Sequence, residues 1–147
     1  MPYVDKTFQL QQFGDRCFQL LTPIIQYRSR IITRFPCTLR YASYDGEGLF
    51  FIYQGFSYDG ASNPLQITAQ TNSELALGLP HDMKYRFMRA GLINPSYWKK
   101  VADEELIEDA EAAGMPHLIA DVFYEAVERF GNKYVEVKSN IVEVNIK

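Results

Sequence analysis

The chain is poor in the residues that build metal clusters and disulfide scaffolds. Its 147 residues hold two cysteines (Cys17 and Cys37), two histidines (His81 and His117) and one tryptophan. Two cysteines exclude a disulfide-stapled secreted mini-domain and any multi-cysteine zinc site. No run approaches the ~18 apolar residues of a membrane span, and MPYVDKTFQL lacks a basic region leading into an apolar one. Neither an export signal nor a transmembrane segment is therefore expected. One-signed charge is missing as well: 15 basic and 18 acidic groups leave a net charge of −3. Residues 1–60 carry six basic and five acidic groups, and residues 61–147 carry nine and thirteen. That balance argues against broad electrostatic binding of nucleic acid. There are no internal repeats.

What is present suits a folded single domain spanning residues 1–147. Hydrophobic residues make up 47% and charged residues 22% of the chain, which excludes a disordered composition. A chain of this length buries roughly 70% of its unfolded surface, enough to fold without a metal or disulfide. Ten Phe and ten Tyr supply an unusual share of aromatic packing.

Residues 1–56 read as mainly β. Thr7–Gln12, Cys17–Leu21, Ile24–Tyr27, Ile31–Phe35 and Leu49–Tyr53 are rich in β-branched and aromatic residues. Turn signals separate them, the strongest hairpin signal being Asp45-Gly46. From residue 57 to 131 the chain reads as a loop plus helices. One helix holds Pro80 to Ala90 and stops at Gly91; its start at Ser73, with Pro80 as a kink, stays open. A second starts at Asn94-Pro95, runs from Tyr97 to Ala113 and stops at Gly114. A third starts at Met115-Pro116, runs from Leu118 to Phe130 and stops at Gly131. Residues 132–147 return to β character: Val142, Val144 and Ile146 alternate with Glu143, Asn145 and Lys147. This tail either rejoins the N-terminal sheet or pairs with a neighbouring chain. The expected fold class is α+β: a small N-terminal antiparallel sheet, then three helices, then a β tail.

His81 is the residue most suggestive of chemistry. Asp82 follows it, and Tyr85 lies one turn on along the same helix face. On the next helix the apolar stripe is Ala102, Leu106, Ile107, Ala110 and Ala113, and Asp103 falls on it. Glu104, Glu105, Glu108, Asp109 and Glu111 fall largely outside it. A carboxylate on a core face needs hydrogen-bond donors, and His81 and Tyr85, on an antiparallel neighbour, are natural ones. Such a pair fixes the imidazole tautomer and raises its basicity, as a general base requires. The same bonds also serve to knit two helices together. Asp82 points about a quarter-turn away, where Arg86 or a cation can meet it. His117 has no carboxylate placed to orient it and reads as surface. Upstream, Gly55 to Pro64 is rich in Gly, Ser, Asn and Asp, the oxygen-rich makeup that a hard cation such as Ca²⁺ favours and that ordinary turns share.

Four blocks carry a resemblance. They are Gly55-Phe56-x-x-Asp59-Gly60-Ala61-Ser62-x-Pro64, His81-Asp82-x-x-Tyr85-Arg86, Ala102-Asp103 and Tyr124-x-Ala126-Val127-x-x-Phe130-Gly131. In order and rough spacing they resemble the phage and prophage domain-of-unknown-function family numbered 1353, over about residues 16–131. Against that pattern, residues 28–48 look like an added β excursion and the tail after Gly131 like an extension. More distantly, His-Asp-x-x-Tyr followed by an Asp on an antiparallel helix is similar to the core of prokaryotic phospholipases A2. That likeness implies His81 as general base, with Asp103 and Tyr85 orienting it. It implies Asp82, Asp59, Tyr58 and Gly60 as the Ca²⁺ site. Those enzymes clamp their helices with disulfides, and no cysteine follows Cys37 here.

Two functional expectations follow. One is a phage-encoded, Ca²⁺-dependent hydrolase of a cell-envelope ester. The other is a virion component (tail, baseplate or capsid) in which the His–Asp pair is structural. In the second, other virion proteins or a second copy are met through residues 28–48 and 133–147. The resemblance places either in the virion or the host cytoplasm. A His–Asp metal phosphohydrolase would need further histidine ligands, and only His117 is available.

Overall fold

The computed structural model describes residues 8–13, 17–58, 72–112 and 114–130, without the side chains of 72–77, 123, 126, 127 and 130. The expected C-terminal β tail and the loop from Asp59 onward lie outside these residues.

The segments rich in β-branched and aromatic residues form two antiparallel sheets rather than one. β1 (Leu10–Gln12), β2 (Phe18–Leu20) and β7 (Ser57–Tyr58) make a three-stranded sheet in the order β1-β2-β7. β3 (Ile24–Arg28), β4 (Cys37–Leu39), β5 (Ala42–Tyr44) and β6 (Leu49–Tyr53) make a four-stranded sheet in the order β3-β6-β5-β4. The period of two decides which side chains go inward. Ile25, Tyr27, Ala42, Tyr44, Phe50 and Ile52 are buried, in the registers Ile25↔Ile52, Tyr27↔Phe50, Ala42↔Ile52 and Tyr44↔Phe50. The chain passes between the sheets at a shared corner, where Leu20 N–H donates to Phe56 O and Gly55 N–H to Leu20 O.

Three helices follow: α1 (Asn72–Arg89), α2 (Pro95–Ala112) and α3 (His117–Phe130). α1 runs unbroken through Pro80, which settles the open question of its start. Pro80 has no N–H to give the carbonyl four residues back, so that turn relies on packing, and Pro80 is buried. The helix stops in a Schellman pattern, with Leu92 N–H on Phe87 O and Gly91 N–H on Met88 O. Gly91 supplies the positive φ of 77° this stop requires. Asn94 caps α2 as expected, its Oδ1 accepting from Ser96 N–H at 2.9 Å. Leu79, Met83, Phe87 and Met88 place α1 in one core cluster with both sheets. There Phe50 stacks on Tyr44 and meets Phe87 edge-on, with centroids 4.2 and 5.5 Å apart. Leu106 and Ala110 form a second, smaller cluster with Ile107 and Met115.

One expected strand is absent. Ile31–Phe35 is irregular because its polar groups bond the β5–β6 turn and its own side chains instead of a ladder. Arg34 has a positive φ of 65° and its N–H donates to Gly46 O, while Phe35 N–H donates to Thr33 Oγ1. Strands form instead at β4 and β5, so the 28–48 excursion builds half of the larger sheet. The Asp45-Gly46 hairpin is present, with Asp45 Oδ1 accepting from Glu47 and Leu49 N–H at 2.7 and 3.0 Å. Its loop packs on the chain before it: a Cβ on Gly48 (φ 97°) would stand 2.6 Å from Ser29 O. Gly48→Ala therefore suffers both backbone strain and a backbone collision, whereas Gly114→Ala, with open space around it, suffers strain alone. Chemical denaturation should find Gly48→Ala destabilising by on the order of 1–3 kcal/mol and more than Gly114→Ala. Equal losses would show that Ser29 yields to the new methyl.

Candidate functional site

His81 and Tyr85 lie one turn apart on α1, and both reach the carboxylate of Asp103 on α2. His81 Nε2 is 3.0 Å from Asp103 Oδ1, and Tyr85 donates to the same oxygen at 2.5 Å. Lys99, one turn before Asp103 on α2, donates to Oδ2 at 2.7 Å. His81 and Asp103 are each 2% exposed. The set expected on one helix pair is thus brought together, with Lys99 added to it. Lys99 escaped the sequence reading although an i,i+4 Lys–Asp pair was the available signal.

Electrostatics assigns the protons. Burial alone would raise the pKa of Asp103, but hydrogen bonds from His81, Lys99 and Tyr85 outweigh it and hold the carboxyl below its ordinary value. Burial lowers His81 below the ordinary 6.5, and the hydrogen bond and charge of Asp103 pull back without overcoming it. Burial, then the charge of Asp103, pushes the Tyr85 phenol up, so it stays a donor. At neutral pH the pair is a carboxylate and a neutral imidazole. With Nε2–H donating to Asp103, Nδ1 carries the lone pair, and no described residue bonds it. The arrangement can accept a proton at Nδ1.

Asp82 does not join this carboxylate. Its Oδ2 meets Arg86 Nε at 3.0 Å. Arg86 also donates through Nη2 to the Ser57 carbonyl of β7, and its guanidinium lies 4.3 Å over the Phe56 ring. Tyr58 is buried beside Asp82, and burial, then that negative charge, pushes its phenol up. Asp59 and Gly60 lie outside the described residues. Among those described, no group of three His, Cys, Asp or Glu side chains is gathered for a metal. Of the four residues expected to hold Ca²⁺, only Asp82 and Tyr58 lie among those described.

A second polar layer lies beside the first. Lys84, fully buried on α1, donates to Tyr27 Oη at 3.1 Å and to Glu105 Oε1 at 3.4 Å. Glu105 also accepts from Ser29 Oγ at 2.5 Å and from Arg30 N–H at 3.1 Å. Tyr27 in turn donates to Asp109 at 2.7 Å. Glu105, expected outside the apolar stripe, is 4% exposed, because the segment just after β3 presents the Ser29 hydroxyl and the Arg30 N–H to it. Helical periodicity carries no information about such donors.

His117 is exposed as expected, but the expectation that no carboxylate orients it is corrected. Its Nδ1 lies 2.8 Å from Glu111 and its Nε2 3.3 Å from Asp121. Glu111, at the end of α2, comes within reach only because Gly114 turns the chain. Cys17 and Cys37 are both free thiols. No helix among the described residues is long and apolar enough to cross a membrane. No family model, curated protein or solved structure matches the chain.

The two histidines should titrate on opposite sides of the ordinary value. Burial holds His81 below it, while hydrogen bonding to Glu111 and the charges around it raise exposed His117. Imidazole chemical shifts followed against pH by NMR would show this. Asp103→Asn should move His81 lower still, since it removes the group that favours the proton; an upward move contradicts the assignment.

Proposed function

We propose that the chain is a phage-type hydrolase of a cell-envelope ester, with His81 as its general base. The observation that carries this reading is the buried Nε2–Asp103 contact, which leaves Nδ1 as the basic nitrogen. In the reaction Nδ1 takes a proton from water as its oxygen bonds to the ester carbonyl. The tetrahedral intermediate then expels the alcohol, which takes the proton back from Nδ1, and the acid is released. Asp103 holds the tautomer and balances the imidazolium; Tyr85 and Lys99 hold Asp103. The likeness to phospholipases A2 adds Ca²⁺, which when bound polarises the ester carbonyl. The residues that would hold it are Asp82, Tyr58, Asp59 and Gly60, and Arg86 stands beside Asp82 as a fixed cation.

A second reading rests on a different observation. Phe35 and Tyr97 are 75% and 74% exposed and line, with Ile32 and Trp98, an apolar groove of about 770 Å³ between the 28–48 segment and the start of α2. In this reading the groove meets another virion protein or a second copy, and the His–Asp–Tyr–Lys cluster is an internal brace.

Hydrolysis of a short-chain ester and of phospholipid vesicles, assayed with Ca²⁺ and with chelator, separates the two readings. His81→Ala should lose roughly 10²–10⁴-fold in turnover while the fold persists by circular dichroism. Activity abolished by chelator returns a metal to Asp82 and the 58–60 segment; activity indifferent to chelator leaves Arg86 as the fixed cation. A folded wild type without His81-dependent turnover favours the virion-component reading.

A further inference from the structure

A cleft of about 440 Å³ lies between the β4–β5 hairpin and the C-terminal half of α1, lined by Leu39, Arg40, Tyr41, Phe56, Arg86, Arg89 and Ala90. Its volume is that of a small-molecule site. Its charge is out of keeping with the chain, since three arginines and no carboxylate line it in a protein of net charge −3. Two elements supply them: Arg40 comes from the β4–β5 turn, Arg86 and Arg89 from the last turn of α1. Cations at a helix C-terminus have a local role, since they offset the macrodipole. That role accounts for Arg86 and Arg89 but not for Arg40, which the hairpin brings across to them.

Each guanidinium is presented from an aromatic or helical support. Arg40 lies 5.3 Å from the centroid of the Tyr41 ring, and Arg86 lies over Phe56. Arg86 is neutralised by Asp82. Among the described residues no carboxylate reaches Arg40 or Arg89, so two positive charges remain in the cleft. Guanidinium forks match tetrahedral oxyanions bidentately, and a phosphomonoester at neutral pH carries close to two negative charges.

We propose that this cleft binds the phosphate of a phosphate-bearing ligand, held by Arg40 and Arg89, with Tyr41 and Phe56 walling the group that carries it. The site lies on the Asp82–Arg86–Arg89 face of α1, a quarter-turn from the His81–Tyr85 face, and does not rest on the hydrolase reading.

Calorimetry on the full chain with inorganic phosphate and phenyl phosphate, and sedimentation with phosphatidylcholine vesicles containing phosphatidic acid, tests it. Arg40→Gln and Arg89→Gln, both folded by circular dichroism, should each weaken binding about tenfold or more. Arg28→Gln, on the opposite edge strand, should leave it unchanged. Phenyl phosphate bound more tightly than inorganic phosphate identifies a soluble aromatic ester. Vesicle binding lost in the Arg40 and Arg89 variants identifies a lipid headgroup; either result supports the site. The proposal is overturned if no probe binds at millimolar concentration, if the double variant binds as wild type does, or if Arg28→Gln weakens binding as much as the others.

Discussion

A carboxylate buried between two helices is the constraint on which this structure turns. Taking Asp103 out of water carries a desolvation cost of several kcal/mol, and the fold meets it with three donors from two helices. Those donors fix which turn of α1 faces which turn of α2. They also decide the chemistry, because the carboxylate that needs His81 Nε2–H makes Nδ1 the basic nitrogen. Stability of the helix pair and basicity of the imidazole come from the same contact.

The second polar layer extends this brace to the sheet. Lys84 and Glu105 join the helices to Tyr27 of β3 and to Ser29 and Arg30 just after it, while Arg86 joins α1 to β7. Each sheet thus anchors the helix that carries His81 through a charged side chain. The layers respond to acid in opposite senses. His81, depressed in the fold, leaves the unfolded chain to take up a proton first as pH falls through 6.5, which lowers stability. Asp109, pushed up to about 6 chiefly by burial, takes up its proton first in the folded chain and restores some of that loss. Around pH 6 the two effects therefore oppose each other.

Much of the fold was legible because it rests on local rules. Asn94-Pro95, Gly91 and Gly114 mark helix ends through backbone geometry, and β-branched and aromatic content marks β2, β3 and β6. Ile31–Phe35 misled because its β-branched residues serve an irregular wrap around the hairpin, and no period records that. The His81–Asp103 contact was legible through an anomaly, an Asp on an apolar stripe. Lys84 and Glu105 were not, since their burial depends on Tyr27, which accepts from Lys84, and on Ser29 and Arg30, which donate to Glu105, all far away in sequence.

The sequence by itself determined the α+β class, most of the helix limits and the pairing of His81 with Asp103, because periodicity, caps and side-chain chemistry are local properties. Only the tertiary structure decided that there are two sheets, that Lys99 completes the Asp103 cluster, and that Arg86 stands between Asp82 and the Ser57 carbonyl. It alone brought Arg40 to Arg89, for a hairpin and a helix end with no pattern in common meet only once the chain has folded. The scarcity of cysteine finds its physical counterpart here: no disulfide holds the helix pair, and buried hydrogen-bonded charges do.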